Sequence, residues 1–350
     1  MISRKISLFL VLSLLLIGGL TLSASAQENR FSIVENKAEQ RVDILIDGKP
    51  FTSYIYPKSL MKPVLYPIRS AKNTLITRGW PMDPRPGERV DHPHHVGMWF
   101  NYGNVNGLDF WNNSNNISEE RKSGYGTIKH ISVHKMIADN NKAELEVSSY
   151  WQRADGSNLI KENTKYIFTG NGKNRAIELV TQLTALDEDV SFMDNKEGLL
   201  GLRLARELEH PSDKPGKFTD SNGIAVDEAT VNNEGVTGVY RSSEGIEGDA
   251  VWATRAKWVN LNGEINDEPL SVVILDNSKN VGYPTYWHAR GYGLFAVNPL
   301  GQKEFSKGEE ELNFKLKTGE SIIFRYKLLI SSGDHLSDEQ VDVEFEKFNN

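Results

Sequence analysis

Asp91-His92-Pro93-His94-His95 places three imidazoles within four positions of a chain that has only eight histidines. Imidazole titrates near neutral pH and is the commonest metal ligand. Trp99, Asn101, Asp109, Phe110 and Trp111 follow within one turn-rich stretch. Indole and phenyl rings offer flat apolar faces, and the indole adds a polar edge. Proton-exchanging rings, a carboxylate and flat faces in one window suit a polar molecule that itself has a ring, such as a sugar. On this reading His92 and His94 exchange protons with a substrate. His95, Asn101 and Asp109 hold it, and Trp99 and Trp111 stack on it. The bland alternative for the aromatics is ordinary strand core.

The theme recurs about 190 residues downstream in Thr285-Tyr286-Trp287-His288-Ala289-Arg290. His288 joins the catalytic candidates, and Trp287 and Arg290 join the binding candidates. A third cluster, Asp194-Asn195-Lys196-Glu197-Gly198 with Arg203, Arg206 and Glu207, sets carboxylates beside cations. Glu197 is the expected general acid or base, or the group that orients a histidine. A solvated turn with weak surface ion pairs is the competing reading. Arg78 and Arg255 are candidates for gripping a carboxylate or a hydroxyl-rich ligand.

No cofactor is expected. The alternative is a divalent metal on His92 and His94, completed by His288 or a carboxylate. On a strand His92 and His94 would share a face and His95 would point away. The chain lacks a phosphate-binding loop, a dinucleotide glycine motif and a Gly-x-Ser-x-Gly elbow.

The elements that must carry these residues read as strands. Apolar residues alternate with period two over 41–46, 51–56, 142–151, 158–168 and 175–186. Asp47-Gly48 and Asp155-Gly156 mark hairpin turns. Further strands are expected at 250–261, 270–275, 293–297, 312–316 and 322–330. This spacing predicts an all-β fold, a large β-sandwich with few helices. Residues 209–248, rich in Pro, Ser, Gly and Asn, read as a long irregular insertion. At the C-terminus, Ser337 and Gln340 form a capping box ahead of Val341, Phe345 and Phe348, which predicts a helix.

Arg4 and Lys5, the apolar run 6–22 and Ala24-Ser25-Ala26 have the layout of a signal peptide over residues 1–26. A single β-sandwich domain is expected over 27–350, periplasmic or secreted and not held to the membrane after cleavage. The chain has no cysteine, which rules out disulfides, thiolate catalysis and thiolate metal sites. Its net charge of −7, with no basic patch interleaved with aromatics, argues against a nucleic-acid partner. The expected partner is a small molecule or oligosaccharide. Nothing in the sequence indicates an oligomeric state.

The run from Asp91 through Gly97, Trp99, Asn101 and Gly103 to Asp109-Phe110-Trp111 resembles the bacterial family called methane oxygenase PmoA. Tyr286-Trp287-His288-Ala289-Arg290 through Asn298-Pro299, Lys196-Glu197-Gly198 and Trp252-x-x-Arg255-Ala256 extend the resemblance over nearly all of the chain after the leader. The methane monooxygenase subunit of that name is a membrane protein with several spanning helices. This chain has no spanning segment after its leader, so the resemblance implies membership without methane oxidation. Proteins similar to it are secreted by polysaccharide-degrading bacteria, and the strand pattern is similar to the galactose-mutarotase-like supersandwich. The resemblance thus implies a carbohydrate-active protein, an epimerase, lyase or hydrolase. A non-catalytic sugar-binding module and a metal-dependent oxygenase are the alternatives.

Overall fold

Arg41–Ile46 buries every second side chain, Val42, Ile44 and Ile46, and the same alternation recurs along most of the chain. A period of two presents one apolar face per strand, so two sheets must close on each other to cover it. A computed structural model describes residues 29–350, and the leader expected over 1–26 lies outside the described residues. Two eight-stranded antiparallel sheets form the sandwich. Across the first sheet run Phe31–Asn36, Arg41–Ile46, Lys49–Ile55, Val64–Leu65, Met98–Tyr102, Gly198–Arg203, Leu294–Asn298 and Tyr286–Arg290. Across the second run Val239–Ser242, Trp258–Ile265, Glu268–Asp276, Ser321–Ser332, Asn174–Ala185, Asn158–Gly170, Lys142–Gln152 and Thr127–Ala138.

The main core lies between the sheets. Phe100 meets Phe324 with ring centres 5.8 Å apart, and Phe51 meets Phe168 edge-on at 6.2 Å. The expected C-terminal helix is present at Asp338–Asn349 with its capping box complete: Ser337 Oγ accepts from Gln340 N and Gln340 Oε1 accepts from Ser337 N. Its Val341 and Phe345 cover Trp258, Leu275 and Leu329 on the outer face of the second sheet. Among the described residues no helix is long and apolar enough to cross a membrane.

Two expectations shift, and one long strand was not expected. The strand expected from Ala250 starts at Trp258, because Ala253 adopts the left-handed φ of 63° and breaks the extended run. The 209–248 segment is largely irregular, but its end, Val239–Ser242, pairs onto the edge of the second sheet. Thr127–Ala138 escaped notice because, as an edge strand, it buries only Ile128 and shows no alternating apolar face.

One register places the chemistry. Trp99 pairs with Gly201, Gly201 with Ala296, and Ala296 with His288. Directly paired residues share a face, so these four form one row on the outer face of the first sheet. Their sequence neighbours Phe100, Leu200, Leu202, Trp287, Phe295 and Val297 point into the main core.

Candidate functional site

The three clustered histidines lie on the turn that leads into strand Met98–Tyr102. Two buried guanidiniums build that turn. Arg78 donates to the carbonyls of Arg89, His92 and His95, and its Nη1 reaches Asp91 Oδ1 at 2.6 Å. Arg203 Nη2 reaches the same oxygen at 2.6 Å. Arg78 and Arg203 are 1% and 0% exposed, so Asp91 is their countercharge. Burial pushes the Asp91 carboxyl up, but Arg203, the His92 ring and Arg78 together outweigh it and hold the group far below the usual carboxylate range. Arg78, expected to grip a ligand, spends both of its Nη groups on shaping this turn. His92 itself has φ 43°, a left-handed conformation uncommon for a residue with a side chain.

The rings form a column. Tyr292 stacks on His92 at 5.0 Å, His92 on His95 at 4.8 Å, and His95 on Trp99 at 5.0 Å. Arg203 lies over the Tyr292 ring at 4.9 Å. His95 is 1% exposed, and its Nε2 accepts from the Trp111 indole at 3.1 Å. Its Nδ1 faces Arg203 Nη1 at 3.3 Å. Burial, then the neighbouring His94 and Arg203, push His95 well below its ordinary pKa, so it stays neutral. Trp99 and Trp111 sit inside a small apolar cluster with Val64, Val96, Leu294 and Ala296. Gly201 makes room for them: a Cβ there would lie 2.5 Å from the Trp99 ring.

His94 stands apart from the column, edge-on to His95 at 4.3 Å and 5.7 Å from His92. It lines a cleft of about 400 Å³ with Lys62, Trp80, Met82, Asn113 and Asn116. Its Nε2 is buried and has no hydrogen-bond partner among the described residues. Burial and the nearby Lys62 lower its pKa to about 2. Lys62 is 4% exposed, lies 5.4 Å from the Trp99 ring centre and donates to the His94 carbonyl at 2.7 Å. Burial lowers its pKa to about 7, with Asp109 pulling the other way.

His288 and Glu197 occupy the far end of the outer face. His288 Nδ1 donates to the Lys196 carbonyl at 2.9 Å, which leaves the lone pair on Nε2, and Glu197 Oε2 is 3.8 Å from Nδ1. Burial lowers the His288 pKa to about 3, aided by Arg290, Lys196 and His92. Glu197 pairs with Lys196. Tyr292 joins the two ends: its phenol is pushed up to about 12 by burial, and it feels Arg203, Glu197, Arg290 and Asp91. The cleft wall includes His94 but not His92, His288 or Glu197.

A family model described as a family of unknown function (DUF6807) matches residues 41–346. The chain belongs to that family. No curated protein matches it. Among solved structures it is similar to the galactosidase domain of an α-galactosidase–sucrose kinase, at 10% identity and TM-score 0.40, covering 86% of this chain and 42% of that one. It is also similar to a GH36 α-galactosidase from Geobacillus stearothermophilus, at 11% identity and TM-score 0.38, covering 87% and 41%. A galactose mutarotase-like protein from Clostridium acetobutylicum matches at 13% identity and TM-score 0.32, covering 87% and 99%. The chain spans about two fifths of the length of the two galactosidase structures.

The remaining sequence candidates, all within the family-matched span, have structural partners. Trp287 is wholly buried and donates to the Ala256 carbonyl. Asn101 is wholly buried and donates to the Phe110 carbonyl at 2.6 Å. Asp109 closes its own turn by accepting from the amides of Trp111 and Asn112. Arg255 braces the carbonyls of Gly282 and Pro284 and pairs with Glu310. Arg290 covers the Trp252 ring at 4.5 Å. Among the described residues no three His, Asp or Glu side chains are arranged to hold a metal ion. Sequence reading gave no role to Lys62, Trp80 or Tyr292, and did not place Arg203 at the centre of the histidine turn. Lys62 carried one faint signal, a lone cation in the apolar run Leu60-Met61-Lys62-Pro63-Val64.

Proposed function

We propose that the chain is an exported carbohydrate-active enzyme that exchanges protons with a sugar ring seated in the cleft beside His94. The observation that carries this reading is His94 on the wall of that cleft, with its buried Nε2 unpartnered among the described residues. A buried polar atom without a partner is rare, and a ligand hydroxyl would satisfy it. A hydroxyl both donates and accepts, so it suits a neutral imidazole and the Asn113 and Asn116 amides alike. Half-buried Trp80 supplies the apolar wall that a sugar face needs. His92, 3.2 Å from Asp91 Oδ2 but off the hydrogen-bond axis, adds a carboxylate-flanked ring next to His94. His288 and Glu197 form a second imidazole–carboxylate pair on the same outer face, outside the cleft wall. The resemblance to the PmoA family and the leader before Gln27 belong to the same reading.

A second reading is a sugar-binding module without turnover. The low pKa of both His94 and His288 favours it, since neither ring offers a proton near pH 7 in the free protein. Proton NMR of a monosaccharide and oligosaccharide panel with the exported protein separates the two. Line broadening together with anomeric exchange, epimer or cleavage product supports the enzyme. Broadening without product supports the module, and neither effect with any sugar rejects both.

A further inference from the structure

Among the described residues, the cleft beside His94 contains one cation and no anion. Its wall is built from residues 59–62, Val64, residues 80–82, the Pro93 and His94 pair, Val96 and residues 113–116, and none of these is acidic. Lys62 is 4% exposed, and its ammonium makes a single hydrogen bond, to the His94 carbonyl, with no described carboxylate within ion-pair distance. Asp109, the one acid that acts on it, has its oxygens engaged by the Trp111 and Asn112 amides and the Asn112 side chain. An ammonium has three donors, and burying one without a countercharge is costly. Two donors therefore remain for a ligand that enters the cleft.

We propose that the ligand of this cleft is a sugar bearing a carboxylate, a uronic acid, whose carboxylate pairs with Lys62 while its ring lies against Trp80 and its hydroxyls meet His94 and Asn113. The proposal rests on the carbohydrate reading above and narrows its substrate class. The carboxylate supplies the missing countercharge, and the rest of the wall is neutral, so one negative group per ring is matched. Burial lowers the Lys62 pKa to about 7, so its charge, and the affinity for an anion, should fall as pH rises through that value. The other groups facing it are His94, which stays neutral there, and Asp109, which is engaged in its turn.

The test is calorimetric titration of the full exported protein with the methyl glycosides of galacturonate, glucuronate and mannuronate, each against its neutral parent sugar. At least one uronate is expected to bind tenfold or more tightly than its parent at pH 6. Lys62→Met should bring the two within twofold, chiefly by weakening the uronate. Lys62→Gln provides a second variant, and unchanged circular dichroism checks the fold of both. Uronate and parent binding equally to the wild type, or a preference that survives in both variants, overturns the carboxylate assignment and leaves the carbohydrate reading standing. A 6-sulfated glycoside preferred over every uronate also overturns it. No binding by either class rejects the carbohydrate reading itself.

Discussion

Arg203 Nη2 and Asp91 Oδ1 lie 2.6 Å apart, and on that contact the histidine turn is anchored to the sheet. Arg203 ends strand Gly198–Arg203, and Asp91 opens the turn that carries His92, His94 and His95. Asp91→Asn should therefore leave two buried guanidiniums without a countercharge and lower unfolding free energy by about 3–5 kcal/mol. Asp47→Asn, which breaks the exposed pair with Arg30, should cost less than about 1 kcal/mol. Urea denaturation of both variants checks the contrast.

The buried histidines should make the protein acid-labile. His94 and His288 have pKa values of about 2 and 3 in the fold, against about 6.5 in an unfolded chain. Between those values the unfolded state binds more protons, so stability falls as pH falls. Each ring should contribute a loss of about 1.4 kcal/mol per pH unit below roughly pH 6. Asp91, with its pKa depressed, adds a loss only below the ordinary carboxylate range. His288→Asn should flatten the slope of unfolding free energy between pH 6 and 4 by one such share, read from urea curves at each pH.

His94→Ala should weaken sugar binding at least tenfold or lower turnover by about 10²–10⁴, the range for loss of a positioned acid–base group. Its melting temperature should change by no more than a few degrees, because the His94 ring lines a cleft rather than the main core. Collapse of the fold with no separable effect on binding would assign His94 to packing.

Gly201→Ala should disturb the site from beneath. Its Cβ would fall 2.5 Å from one Trp99 ring atom and 2.9 Å from Trp111. Overpacking of this kind costs about 1–3 kcal/mol. The displaced Trp99 ring, 5.4 Å from Lys62 Nζ, should also shift the indole emission and weaken ligand binding.

Ser337→Ala should cost about 1 kcal/mol by removing the capping box of helix Asp338–Asn349. The helix covers the outer face of the second sheet, so ligand affinity should stay at the wild-type value.

Period-two alternation alone was enough to read the sandwich, because each strand must hide one apolar face. The C-terminal helix was equally legible, since Ser337 and Gln340 cap it locally. The clusters around His92, His288 and Glu197 were visible as residue types. Which face each residue takes was not. Trp287 and His288 are adjacent in sequence but point to opposite sides of one sheet, so Trp287 belongs to the core and His288 to the outer row. Edge strands such as Thr127–Ala138 were silent because nothing packs on both of their sides. In the sequence Lys62 stands out only as a lone cation in an apolar run. In the fold it is buried, with Trp99 of strand Met98–Tyr102 lying against it. Local spacing determined the elements and named the chemistry. Burial, pairing and charge balance belong to contacts between remote segments, and only the tertiary structure decided them.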